Sequence, residues 1–213
     1  MSSNVTSCST WRLYVILDDD TAVGRDLVEL AIAAIRGGAD VLQLRAKRAT
    51  DDQLAAVATR LLVVTRPHHI PLLINDRPQV AADINADGVH LGQDDAPVAE
   101  ARRLLRGGKL VGKSTHSLEQ ALAAQAEGAD YIGVGPIFPT PTKPNYGSVG
   151  LAGIRQVRQQ LSIPFTCIGG IDAQTIGDVV HAGAYCVAVV RAVCAAADPE
   201  SAARSLKQRL LRG

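Results

Sequence analysis

Nothing in this sequence approaches the ~20 consecutive apolar residues that a membrane-spanning helix needs. Its unbroken apolar runs are short, as at 61–64, so no membrane partner is expected. The first ten residues, MSSNVTSCST, have neither a basic start nor an apolar stretch, and no secretory signal is expected there. Without secretion, the match of Asn4-Val5-Thr6 to a glycosylation acceptor is a chance one. An excess of one charge is missing too. Twenty-two Lys+Arg against 21 Asp+Glu leave a formal +1, too little for the broad basic face of a nucleic-acid or anionic-membrane binder. Any bound anion must therefore meet locally placed cations. The four cysteines, Cys8, Cys167, Cys186 and Cys194, lack the CxxC or Cys/His spacing of a zinc site. Cys167 and Cys186 read as small hydrophobes buried in strands, and a reducing cytoplasm is the expected location. There is also no GxGxxG, no serine nucleophile elbow and no catalytic cysteine motif.

What is present is ordinary globular composition, 213 residues with 47% hydrophobic and 20% charged, which argues against disorder and fibrous repeats. Short apolar runs predict strands over 14–18, 41–45, 71–76, 88–92, 110–114, 131–135, 164–169 and 185–191. Between them, Ala/Leu-rich stretches such as 26–36, 51–64, 117–127 and 199–210 carry helical periodicity. Four of the strands follow a repeated signal, Arg36-Gly-Gly-Ala-Asp40, Asn85-Ala-Asp-Gly88, Glu127-Gly-Ala-Asp130 and His181-Ala-Gly-Ala184. Each places glycine where a helix ends left-handed and turns into a strand. Eight βα units with near-continuous apolar strands imply a parallel sheet covered by helices, and in this length a closed (β/α)₈ TIM barrel. An open doubly wound sheet fits less well, since no dinucleotide fingerprint follows the first strand. With no linker in view, 1–213 reads as a single α/β domain, with 1–12 as a flexible lead.

In such a barrel, function sits at the carboxyl ends of the strands. Those positions read Gln43-Leu-Arg45-Ala-Lys47, Asn75-Asp76, Gly92-Gln-Asp-Asp95, Lys113-Ser114-Thr-His116, a loop over 135–143, Gly169-Gly170, and Arg191 closing strand eight. Gln43 and Arg45 share one side of their strand and Lys47 continues the line, a cationic set suited to phosphate oxygens; surface ion pairing is the competing account. Asp76 and Asp95 end neighbouring strands, and two carboxylates suit Mg²⁺, which takes its other ligands from water and phosphate. Alternatively, Asp76 or Asp95 only caps the next helix. Gly169-Gly170, followed by a helix from Ala173, offers unobstructed backbone N–H groups to an anion. The three prolines of 136–143 would hold Thr140, Thr142 and Lys143 ready, or make a plain rigid connector. His90, between Val89 and Leu91, reads as a satisfied core or rim histidine. Phosphate chemistry with metal assistance is what remains.

In this order the motifs Gln43-Leu-Arg45-x-Lys47, Ile74-Asn75-Asp76, Ala86-Asp-Gly-Val-His-Leu-Gly-Gln93-x-Asp95, Gly112-x-Ser114-x-His116, Gly133-x-Gly-Pro-Ile-Phe-Pro-Thr140-x-Thr142-Lys143 and Ile168-Gly-Gly-Ile171 resemble the thiamine-phosphate synthase family over nearly the whole chain. The resemblance implies a transferase that joins a pyrimidine diphosphate to a thiazole phosphate with one Mg²⁺ per site. Gln43 would then bond the pyrimidine, while Arg45, Lys47, Asn75 and Lys143 would hold diphosphate, with Asp76 and Asp95 on the metal. Ser114 would lie near the pyrimidine and the leaving group. Thr140, Thr142 and the Gly170 backbone would hold the thiazole phosphate, closed by Val190 and Arg191. Arg45, Lys47, Ser114 and Lys143 are the expected catalytic set. Ala46 stands where a Glu is often found, and Arg191 where some members carry a small polar residue. A thiazole tautomerase-like relative and a non-catalytic phosphate-ligand sensor are the alternatives. Small molecules are the expected partners, and the barrel helices could support a homo-oligomer, although no stripe marks one.

Overall fold

A computed structural model describes residues 8–140 and 147–212. Strands β1 (Leu13–Asp18), β2 (Val41–Arg45), β3 (Leu72–Asn75), β4 (Gly88–Leu91), β5 (Leu110–Thr115), β6 (Tyr131–Val134), β7 (Phe165–Ile168) and β8 (Val187–Val189) follow one another around a closed parallel barrel. β1 pairs with β8 to close it. Around it lie α1 (Asp19–Ala22), α2 (Leu27–Arg36), α3 (Asp51–Thr65), α4 (Pro78–Asp83), α5 (Val98–Leu105), α6 (Leu118–Ala126), α7 (Gly150–Gln160), α8 (Ile176–His181), α9 (Arg191–Cys194) and α10 (Pro199–Arg212). The expected fold class is the observed one. Among the described residues no helix is long and apolar enough to cross a membrane.

Local chemistry sets the helix ends. Thr50 and Gln53 form a reciprocal capping box at α3, and Asp26 accepts the Val28 N–H at the start of α2. The turn signals before the strands behave as expected at Gly38, Gly128 and Gly183, all at positive φ. In the Asn85 repeat it is Asn85 (φ +55°) that turns left-handed. Gly88 is needed for closeness instead, because a Cβ there would sit 2.2 Å from the Leu110 carbonyl oxygen.

Apolar packing forms two layers. Most buried side chains lie between strands and helices. A second cluster, including Cys8, Trp11, Tyr14, Val41, Leu110, Tyr131 and Cys186, fills the barrel interior towards the amino ends of the strands. Two expectations change here. The lead thought flexible over 1–12 is structured from Cys8, which opens a short 3₁₀ turn (Cys8–Thr10), and Trp11 is only 2% exposed because its indole plugs the barrel floor. Strand eight stops at Val189, so Arg191 begins α9 and does not end the strand.

Candidate active site

Parallel register brings the expected residues to one mouth. Asp18 pairs with Arg45, Asn75 with His90, and Ser114 with Gly133 across adjacent strands. A cavity of about 530 Å³ opens there, and Gln43, Arg45, Asn75, Ser114, Thr140, Gly170, Val190 and Arg191 all line it. Lys47, Asp76 and Asp95 stand beside it, outside the lining. Thr142 and Lys143 lie outside the described residues. A larger cavity of about 890 Å³, against α7, α8 and α10, includes Arg155, Arg158, His181, Arg209 and Arg212 but none of the expected site residues. It is at the opposite end of the barrel. Four of these basic residues, Arg158, His181, Arg209 and Arg212, occupy last helical turns, where the helix dipole favours positive charge.

Each cation of the β2 line has a carboxylate partner. Arg45 Nη1 is paired with Asp18, which is 1% exposed, and Asp18 also accepts the Thr21 N–H (2.8 Å) to cap α1. The guanidinium is thereby aimed along the rim, with donors left over, since one fork carries five N–H groups. Lys47 Nζ lies 3.4 Å from Asp76 Oδ2 and is half exposed. Ion pairing and phosphate binding are therefore compatible here. Asp18 was not singled out in the sequence, although it ends β1 in register with Arg45.

Asp76 follows β3 at φ +61°, its N–H donating to the His90 carbonyl (2.9 Å). Asp95 Oδ2 accepts the Gly92 N–H (2.7 Å) within the turn after β4. Pro97, not Asp95, is the residue before α5, so Asp95 is no helix cap. Burial, and then the adjoining Asp76, raise the Asp95 carboxyl above its ordinary value. Two repelling carboxylates at one point suit a divalent cation. The pair supplies hard oxygen donors, and no group of three or more His, Cys, Asp or Glu that could hold a metal occurs among the described residues. That donor set fits Mg²⁺, which is satisfied by one or two carboxylates together with water and substrate phosphate. Lys113 leaves the rim, because its ammonium is buried behind the Gly92 turn and donates to the Gly92 carbonyl (2.8 Å).

The loop after β6 lies on the end of β7, with Ile137 N–H donating to Ile168 and Phe138 N–H to Gly169. Gly169 and Gly170 take φ of +100° and +67°, and added Cβ atoms would strike Pro136 at 2.5 Å and Phe138 at 2.7 Å. The glycine pair is required by this contact as well as by any ligand. Beyond it Asp172 Oδ1 takes the Gln174 and Thr175 N–H groups, so α8 begins at Ile176 and not at Ala173.

Inside the cavity the polar groups are linked. Gln43 Nε2 donates to Tyr14 Oη (2.5 Å), and Tyr14 Oη lies 3.0 Å from Tyr131 Oη. Tyr131 Oη lies 2.8 Å from His90 Nδ1, and His90 Nε2 lies 2.9 Å from Ser114 Oγ. His90 is satisfied, as expected, but one partner is a site residue. Tyr14 and Tyr131 went unremarked in the sequence; their signal was period-two spacing on the inward face, Tyr14 with Asp18 and Tyr131 with Gly133 and Gly135.

A profile of the thiamine monophosphate synthase family matches residues 13–193. A thiamine-phosphate synthase of Chloroflexus aurantiacus is 51% identical over 198 residues, covering 92% of this chain and 91% of its own length. One from Shouchella clausii is 44% identical over 197 residues, covering 92% and 94%. Among solved structures, the thiamine phosphate pyrophosphorylase of Pyrococcus furiosus superposes with a TM-score of 0.87 at 34% identity, covering 95% of this chain and 96% of that one.

Proposed function

The chain belongs to the thiamine monophosphate synthase family of transferases, and from that premise we propose that it joins 4-amino-2-methyl-5-hydroxymethylpyrimidine diphosphate to 4-methyl-5-(2-hydroxyethyl)thiazole phosphate, releasing diphosphate. One observation carries the choice of substrates: a cavity lined by Gln43, Arg45, Asn75, Ser114 and Thr140 opens beside the Asp76–Asp95 pair and Lys47. Amide and hydroxyl groups suit a heterocycle, and the cations and carboxylates suit its diphosphate.

The thiazole nitrogen already has a free lone pair, so the protein need not supply a general base. The hard step is heterolysis of the carbon–oxygen bond to diphosphate, and the electron-rich aminopyrimidine can carry the resulting positive charge. Gln43 and Ser114 would orient the pyrimidine side. Arg45, held by Asp18, would take phosphate oxygens by its fork, Lys47 as a point charge, and Asn75 by its amide. Asp76 and Asp95 would hold Mg²⁺, which when bound neutralises charge on the departing diphosphate. Thr140 and the Gly170 backbone would hold the thiazole phosphate, with Val190 and Arg191 at that side of the cavity. Thr142 and Lys143 join the thiazole-phosphate and diphosphate groups respectively on sequence grounds alone. Excluding water keeps the cation for the thiazole.

The test is diphosphate release measured with both substrates, with each alone, and with and without Mg²⁺. Release is expected only from the complete mixture. Release at the same rate without thiazole phosphate, or binding of both substrates with no release, would overturn the proposal.

A further inference from the structure

The hydrogen-bonded line from Gln43 to Ser114 has a direction, and the direction follows from counting hydrogens. An amide nitrogen can only donate, so the Gln43 Nε2 contact makes Tyr14 Oη an acceptor. Tyr14 is 1% exposed, and its own hydrogen has Tyr131 Oη in reach. Tyr131, equally buried, must then pass its hydrogen to His90 Nδ1. A neutral imidazole that accepts at Nδ1 carries its hydrogen on Nε2, which faces Ser114 Oγ. Any other order strands the Tyr14 or the Tyr131 hydrogen in the barrel interior, where an unpaired donor is costly. The rings cannot easily turn aside. Tyr131 packs edge-on against Trp11, with centroids 5.3 Å apart, and a Cβ at Gly112 would fall 2.2 Å from Tyr131 Cζ.

We propose that His90 is a positioning residue, donating from Nε2 to Ser114 Oγ so that the serine hydroxyl hydrogen is left for an acceptor on the pyrimidine diphosphate. This rests on the pyrimidine diphosphate occupying the cavity. It makes Gln43, across the barrel interior on β2, and Tyr131, on the neighbouring strand β6, the groups that fix which way Ser114 is spent.

Two measurements test it. In the ligand-free full chain labelled with ¹⁵N-histidine, long-range proton–nitrogen spectra should show His90, assigned from its backbone, protonated at Nε2 and bare at Nδ1. A hydrogen on Nδ1 means that the Gln43 amide faces the other way and that Ser114 donates to the ring, which overturns the proposal. This reading needs no turnover, so it stands apart from the synthase assignment. If wild type releases no diphosphate, the assignment fails and the ring spectrum still decides the line's direction. The second measurement is a kinetic cycle. Tyr131→Phe should lower kcat about tenfold when Ser114 is present, the rate equivalent of one ordinary hydrogen bond. In the Ser114→Ala background it should lower kcat less than about twofold, because residues acting through one another are not additive. Equal factors in both backgrounds would make Tyr131 merely structural and overturn the proposal.

Discussion

Asp76 accepts a left-handed backbone that few side chains tolerate, and Asp and Asn are among those few. Asp76→Asn therefore keeps the turn and removes only charge. Activity should fall by ~10²-fold or more, the scale of one preorganised electrostatic element, and near-normal turnover at low Mg²⁺ would refute the role. Asp95→Asn should divide stability from activity. A carboxyl raised on folding costs stability once pH passes its unfolded value, and the full cost applies above its folded one. At neutral pH that cost is present, so the substrate-free Asp95→Asn protein should melt no lower than wild type, and higher if its amide oxygen keeps the Gly92 bond, while losing activity. A lower Tm together with full activity would contradict both halves. At this scale the sequence exposed residues whose type is rare at a strand end, such as Arg45 and Asn75, whereas Asp95, expected to end strand four, stands past Leu91 in the turn after β4. It hid Asp18, Tyr14 and Tyr131, which act through partners on other strands, and those pairings exist only once the barrel closes.

The loop after β6 and the inward glycines act at the scale of elements. Thr140 lines the cavity from that loop, whose described residues are 135–140 and 147–149. Thr140→Val keeps its shape and removes one hydroxyl, so KM for thiazole phosphate should rise severalfold, by about one hydrogen bond's worth, with kcat little changed. Equal rises for both substrates would count against the assignment. Gly112, on β5, makes room for the Tyr131 ring on β6, and Gly112→Ala forces a Cβ into Tyr131 Cζ at 2.2 Å. The expected loss is on the order of 3 kcal/mol in chemical denaturation, and an unchanged midpoint would mean the two strands slide apart freely. Strand order was legible, and so were the starts of α2, α3, α6 and α10, because apolar period and capping residues are local. The ends were less so. Val189 stops β8 early because Val190 leaves extended geometry (φ −114°, ψ −80°) to start α9, and nothing in the apolar run 187–190 announces that change.

Across the whole molecule, the two ends of the barrel interior differ in kind. The mouth is polar and open, whereas the floor is a closed cluster of Cys8, Trp11, Tyr14, Tyr131 and Cys186. Burial raises every titrating group of that floor: Cys8 and Cys186 to about 12, with Tyr14 and Tyr131 pushed well up. Outside it Cys194 goes to about 11, Tyr185 to about 12, and Cys167 is raised as well. The sign is the same for all. Below the unfolded thiol value of 9.0 both states hold their protons and pH does nothing through these groups. Above it the unfolded chain sheds protons that the folded chain keeps, so stability falls with rising pH, more steeply once the phenols at 10.0 join. Tm in the presence of reductant should therefore be level through these groups up to about pH 8 and drop steeply above about pH 9. Thiol labelling at all four cysteines and phenolate absorbance from Tyr14, Tyr131 and Tyr185 should appear together with the loss of circular dichroism, since global unfolding is what exposes them. If the Tyr14 or Tyr131 phenolate, or reactive Cys8 and Cys186 thiols, appear in protein that is still folded, the floor is open to solvent and the barrel interior is not a closed layer.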